Sequence, residues 1–409
     1  MLASLMGQTG LASAQASPYS LGVSQTFTHD SNLLRLSDGQ AVPAGYSRAD
    51  TVSTTALIAG LDQGIGRQRV YANATLRANR LSKNSIYDNE GYALAAGLDW
   101  STVNRLSGSL SASANRSLGT LNSEEIGLVT RKNLETSEQL NAGFRLGLVT
   151  QYSAELNLGH RRVRNSLEQR NVQARNFQQD TASLGLRWQP SALTRLGVAL
   201  RVTQGSFPKF DVAANGSFIE DSFERQDIDL TARYQPTGLS AFDLRISLGD
   251  TSYDRSSQRD FSGVTGAFSW TWQATGKLRL VTRLNRDTGQ ESYAVQIFNV
   301  AGTSDYSRIT TTLALQADYQ VSAKIAVTAS VSAFDRELVR TLPPNLFFPT
   351  DARGTERGQV ISLGARWAPL RSTLVGCEAS ADRRNGSGQL AADLRADRFG
   401  CYAQFSLQG

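Results

Sequence analysis

The stretch GAFSWTWQATGKLRLVTRL, Gly266 to Leu284, decides the fold. Phe268, Trp270 and Trp272 alternate with Ser269 and Thr271, a turn-like Ala-Thr-Gly-Lys follows, and Leu278, Leu280 and Leu284 then alternate with Arg279, Val281 and Arg283. Successive side chains of a β-strand point to opposite faces, so the stretch reads as a hairpin with one apolar face and one polar face. A helix would put Trp270 and Arg279 on no such fixed sides.

The same period runs along most of the chain. Apolar positions recur at Leu140, Ala142, Phe144, Leu146 and Leu148, at Leu196, Val198, Leu200 and Val202, at Phe242, Leu244, Ile246 and Leu248, and at Ile361, Leu363 and Trp367, with Asn, Ser, Thr, Gly, Asp and Arg between them. A soluble sandwich shows the same alternation, so the connections decide. Short turns such as Gly64-Ile65-Gly66, Gln235-Pro236-Thr237-Gly238 and Ala368-Pro369-Leu370-Arg371 alternate with long polar segments: DSNLLRLSDGQAVPAGYSRAD, LGTLNSEEIGLVTRKN, FDVAANGSFIEDS and RTLPPNLFFPTDARGTE. Short turns at one rim and long loops at the other are the asymmetry of an outer-membrane barrel. Trp188, Tyr234, Trp272, Tyr319 and Trp367 all precede short turns, the height of an interfacial aromatic girdle.

Composition agrees. Mean hydropathy is −0.30 and no run approaches the ~20 apolar residues of a membrane helix, which leaves strands as the only way across a bilayer. The expectation is therefore an all-β chain: a transmembrane, outer-membrane antiparallel β-barrel of about 18 strands, with both termini periplasmic. Residues 1–16 read as a signal peptide remnant ending at Ala14-Gln15-Ala16, and 17–409 as a single barrel domain.

The formal charge is +6, and 37 arginines far outnumber five lysines. They are scattered at strand spacing and form no patch or tail, so nucleic acid is not an expected partner. Lipid-facing charge costs about 2 to 4 kcal/mol near mid-membrane, which sends the arginines inward. Parity places Arg145, Arg187, Arg233, Arg245, Arg279, Arg283 and Arg366 on the lumen wall as candidate solute contacts; Arg105, Arg195 and Arg201 share it, with Asp99, Glu155, Asp227, Asp229, Asp243 and Asp318 among them. Two explanations stand side by side. Arginine–carboxylate pairs stiffen the wall, or fixed guanidiniums hand along an anionic or hydroxyl-rich solute.

Only two histidines exist, His29 and His160, with no partner at metal spacing, and Gly-x-Ser-x-Gly is absent. No catalytic residue, no metal and no cofactor is expected, and the chain is read as a non-enzyme. Cys377 and Cys401 lie on the apolar parity of the last two strands, each about six residues from the short-turn rim. They form a disulfide or remain two apolar thiols; the bridge is the expectation in an oxidising periplasm.

Four segments carry a resemblance. FTHDSNLLRLSDG, Phe27 to Gly39, resembles the first-strand motif of the EpsL-type outer-membrane β-barrel proteins of exopolysaccharide loci, and GRQRVYANATL (66–76), RDFSGVTGAFSWTWQATGKLRL (259–280) and LGARWAPLRSTLVG (363–376) resemble later hairpins of that family. The resemblance implies an outer-membrane component of exopolysaccharide biosynthesis and export, as the channel for the secreted polysaccharide, with periplasmic components of a secretion system as partners. The alternative is a general diffusion porin for small anionic or neutral solutes. Either way the expected neighbours are outer-membrane lipid and solute, and the expected state is a monomer.

Overall fold

The computed structural model describes residues 18–123, 127–149, 151–288, 307–341, 351–388 and 393–408. Residues 1–16, the expected signal-peptide remnant, and the centre of the RTLPPNLFFPTDARGTE segment lie outside them. Eighteen long strands follow one another, here numbered in chain order: β1 Tyr19–Asp30, β2 Asp50–Ile65, β3 Gln68–Leu81, β4 Asn89–Ser101, β5 Leu106–Leu118, β6 Leu134–Val149, β7 Tyr152–Asn165, β8 Phe177–Trp188, β9 Thr194–Val212, β10 Phe218–Thr237, β11 Ser240–Tyr253, β12 Phe261–Gln273, β13 Leu278–Asp287, β14 Ser307–Gln320, β15 Ile325–Thr341, β16 Asp351–Leu370, β17 Thr373–Gly388 and β18 Leu394–Gln408. Each pairs antiparallel with its sequence neighbour, and β1 pairs with β18 from Ser20↔Gln408 to Asp30↔Arg398. That last pairing closes the sheet into an 18-stranded barrel with no free edge, so every strand's backbone groups are satisfied without water.

The hairpin of Gly266 to Leu284 belongs to β12–β13, in register Trp270↔Thr282 and Phe268↔Leu284. Its apolar parity faces outward. Leu57, Leu94, Leu140, Leu184, Leu200, Leu230, Leu284 and Ile361, one to a strand around the ring, are all exposed, as side chains are when lipid is their intended neighbour. Trp188, Tyr234, Trp272, Tyr319 and Trp367 are outward and exposed too. Tyr152 stacks on Trp188 at 6.3 Å and Trp270 on Trp272 at 5.5 Å between ring centroids, two aromatic pairs near the same rim.

The connections that follow the even-numbered strands are two to five residues long, whereas those after β1, β3, β5 and β7 run over 31–49, 82–88, 119–133 and 166–176. Gly66, at φ +61, gives the two-residue turn after β2 its required backbone. Both described ends of the barrel lie at this short-turn rim. FDVAANGSFIEDS is not a long loop: β9 and β10, 19 and 20 residues long, carry the sheet beyond its neighbours and meet at 213–217, where Gly216 takes φ +83. Phe, Val and Ile at strand spacing extend the ladder where polar content suggested a loop.

The two large clusters of buried apolar residues sit inside, at the long-loop end. Leu34 and Leu36 of the first loop pack on inward-facing Leu81 and beside Val52, with Tyr87 and Leu121. On the β7–β11 wall, Val163, Phe177, Phe207, Phe223 and Tyr253 form a second inward cluster, and Arg259 from loop 254–260 lies over the rings of Phe207 (4.7 Å) and Tyr253 (4.4 Å). Loops that pack on the inner wall occupy lumen space, and these two masses narrow the mouth from both sides.

Three of these loops start alike. The backbone N–H of Ser82, Ser166 and Asp254 donates to the carbonyls of Thr51, Leu134 and Ser222 on the preceding strand. The next N–H, of Lys83, Leu167 and Arg255, donates to side-chain oxygens of Asp50, Asn133 and Asp221 at 3.0, 3.2 and 2.9 Å. At the far end, Asp88, Asn176 and Asp260 accept from the N–H of Leu81, Asn165 and Tyr253 at 2.7, 2.7 and 2.8 Å. Buried loop amides need acceptors, and the same solution recurs every four strands.

Candidate solute pathway

The inner wall from β5 to β13 bounds a cavity of about 910 Å³. Eight arginines line it, Arg161, Arg187, Arg195, Arg201, Arg225, Arg233, Arg245 and Arg283, against three carboxylates, Glu155, Asp229 and Asp243, so the arc carries a positive surplus. The rest of the ring combines closed ion-pair clusters, Arg336 and Arg384 on Glu356 and Arg398 on Asp30, with hydroxyl and amide pairs. There Ser330 and Ser362 share a hydrogen bond at 2.6 Å, and the Thr54 hydroxyl donates to Asn79 Oδ1 at 2.8 Å.

Part of the basic arc is neutralised within itself. Arg201 holds Asp229 at 2.9 Å and Asp227 at 3.0 Å, Arg225 holds Asp227 at 2.7 Å, and the Ser247 hydroxyl donates to Asp229 at 2.5 Å. All five side chains are buried. Desolvating one of these charges without its partner is strongly unfavourable, so the network is a rigid part of the wall. Arg245 is tied to it through Ser247 at 2.7 Å and lies 3.8 Å from Asp229.

Nearer the short-turn rim the arginine pairs are more exposed to the lumen. Glu155 bridges Arg145 at 2.6 Å and Arg187 at 2.8 Å, and Arg233 reaches Asp243 only at 3.4 Å. Arg283 lines the cavity beside Asn285. Of the seven arginines expected from parity, Arg187, Arg233, Arg245 and Arg283 line the cavity together and Arg145 joins them through Glu155. Arg279 faces Asp318 in register on the β13–β14 pair, and Arg366, on β16, stands well round the ring from the others. Arg105 is not on the wall: it occupies the turn between β4 and β5 with φ +58, because the strand ends at Ser101. Arg161 and Arg225 were not among the expected residues, although Arg225 shares the parity of Asp227.

The two cysteines face each other directly in the β17–β18 register, with Cα atoms 4.0 Å and sulfurs 2.12 Å apart, on the lipid-facing parity. His160 shares the outward parity of Leu158, and its Nδ1 lies 2.8 Å from Asp180 Oδ1, away from the lumen. Among the described residues no group of His, Cys, Asp and Glu is arranged to hold a metal ion.

No protein-family model and no curated protein matches the chain. Solved structures do. OpdK, an outer membrane protein of Pseudomonas aeruginosa, is 12% identical with a TM-score of 0.47, over 95% of this chain and 98% of its own. OccK2 (OpdF) and OccK9 (OpdG) of the same organism give 12% and 14% identity and TM-scores of 0.47 and 0.45, covering 96% of this chain and 98% and 99% of theirs. Likeness at this level assigns neither family nor cargo. The closed ring of paired strands, its even number and its apolar exterior make this chain an outer-membrane β-barrel.

Proposed function

We propose that the barrel is a passive channel for small anionic solutes, with Arg187, Arg233, Arg245 and Arg283 as the contact surface, Arg145 at its edge, and the short-turn rim and both termini in the periplasm. The observation that carries this is the arginine surplus on one arc of a lumen whose mouth is narrowed by inward-packed loops. Guanidiniums fixed along a wetted wall bind carboxylate or phosphate oxygens by charge-assisted hydrogen bonds, and neighbouring ones let the anion exchange partners as it moves. Arg279 and Arg366 extend the basic surface to the remaining wall. Uptake into proteoliposomes tests the proposal: small carboxylates enter faster than amines of equal size, and replacing Arg187, Arg233 and Arg283 together by Ser removes most of the difference. Equal rates for both classes with the unaltered barrel contradict it.

A second reading is favoured by the resemblance of residues 27–39 and by the hydroxyl and amide pairs of the remaining wall, which suit a sugar chain: export of exopolysaccharide, with periplasmic components of a secretion system docking on the short turns. It requires the first loop and loop 254–260 to leave the inner wall. Deleting the gene and measuring secreted polysaccharide separates the two, since a small-solute channel leaves the yield unchanged.

A further inference from the structure

We infer that Arg195 and Arg233 build an oxyanion-binding subsite at the short-turn rim, where the carboxylate or phosphate group of a solute is held as it leaves or enters the lumen. The inference rests on the anion-channel reading and gives it a place and a chemistry. Arg195 of β9 lies directly opposite Arg233 of β10, both on the inward parity. Like charges at directly opposed positions of an antiparallel pair destabilise it. Arg233 has Asp243 beside it at 3.4 Å on the β11 side, but the small cavity the two arginines share, about 340 Å³, adds no carboxylate: its other walls are Gln189, Ala192, Leu193, Thr194 and Gln235.

Arg195 is the sharper half. Its Nε is buried and has no hydrogen-bond acceptor among the described residues. Buried donors are rarely left so, because a missing partner costs more than a made bond returns. An oxyanion between the two guanidiniums supplies that acceptor and screens their repulsion. The planar fork of each arginine fits two oxygens of a carboxylate or a phosphate alike, and the Gln189 and Gln235 amides add uncharged donors beside them.

The surrounding backbone is already set. Gln189 N–H donates to the Gln151 carbonyl at 2.7 Å and Gln235 N–H to the Leu193 carbonyl at 2.8 Å, while Ser191 Oγ accepts from the N–H of Leu193 and Thr194 at 3.2 and 3.1 Å. A turn held at both ends keeps the two guanidiniums where the register puts them, so little ordering is left for the anion to impose.

Single-channel recording of the purified full-length barrel tests this, with inorganic phosphate and then succinate added to each side in turn. The expected result is concentration-dependent interruption of the current, stronger from one side, and about tenfold rarer in Arg195→Gln and in Arg233→Gln, each first shown to keep the heat-modifiable gel mobility of a folded barrel. Phosphate acting at the lower concentration assigns the subsite to phosphate groups, and succinate to carboxylates. Interruptions equal in the unaltered barrel and both variants, or equal from both sides, or absent with both anions, overturn the subsite. The reversal potential from the same recordings keeps the two proposals apart: a channel that prefers anions without such interruptions loses only the subsite, and one without that preference loses both.

Discussion

One carboxylate oxygen of Asp221 accepts the backbone N–H of Arg255 at 2.9 Å, while its other oxygen takes the Ser256 hydroxyl at 2.5 Å. The residues are 34 positions apart, and the contact fastens loop 254–260 to the inner wall beside β10. Asp221→Ala removes both acceptors. Bonds to a charged group contribute about 1.5 to 3 kcal/mol, so local opening of the loop rises roughly tenfold to a hundredfold. Trypsin cleavage after Arg255 and Arg259 in proteoliposomes reports it, and an unchanged cleavage rate contradicts the clamp.

Leu94 and Ala95 are consecutive on β4 and point to opposite sides, Leu94 to lipid and Ala95 to the lumen. Leu94→Arg lowers stability by about 2 to 4 kcal/mol, while Ala95→Arg changes it by less than about 1 kcal/mol. Denaturant unfolding from lipid vesicles measures both. Equal losses would mean that the face assigned to hydrocarbon is covered by something else.

Cys377 and Cys401 close a segment with a sequence separation of 24. A loop of that size restricts the unfolded chain enough to stabilise the fold by roughly 3 kcal/mol. The unfolded protein, treated with an alkylating reagent and no reductant, takes up no label by mass spectrometry, and Cys377→Ser lowers the unfolding midpoint. Two labelled thiols without reductant would show that the pair is not bridged.

Tyr87, in the second long loop, donates its hydroxyl to the Val129 carbonyl at 2.7 Å, and burial pushes its phenol up to about 12, with Tyr46 adding to the shift. The folded state favours the neutral phenol. That contribution is complete below about pH 10, the unfolded value, and is lost as pH rises through about 12. An ultraviolet titration of the barrel against Tyr87→Phe isolates the transition, and a difference centred near 10 contradicts it.

Much of the fold was legible in the sequence because a barrel strand announces itself by period two, and Phe268, Trp270, Arg279 and Arg283 keep it without a break. Parity also sent Arg187, Arg233, Arg245 and Arg283 inward. It could not say that Arg195 faces Arg233 or that Arg366 stands apart, since both depend on inter-strand register and on position round the ring. Arg105 failed for a local reason: parity holds only while the strand lasts, and the strand stops at Ser101. The inward-packed loops were hidden as well. Leu34 and Leu36 lie in a polar segment and show no period, and Phe177, Phe207, Phe223 and Tyr253 face the lumen, where an aromatic on a barrel strand is normally read as lipid-facing.

The most direct test of the account is the reversal potential of the purified barrel in a planar bilayer under a potassium chloride gradient. The basic arc predicts an open channel whose potential lies toward that of chloride, and a shift toward zero when Arg187, Arg233 and Arg283 are replaced together by Ser. No conductance, or a potential on the potassium side, would contradict it.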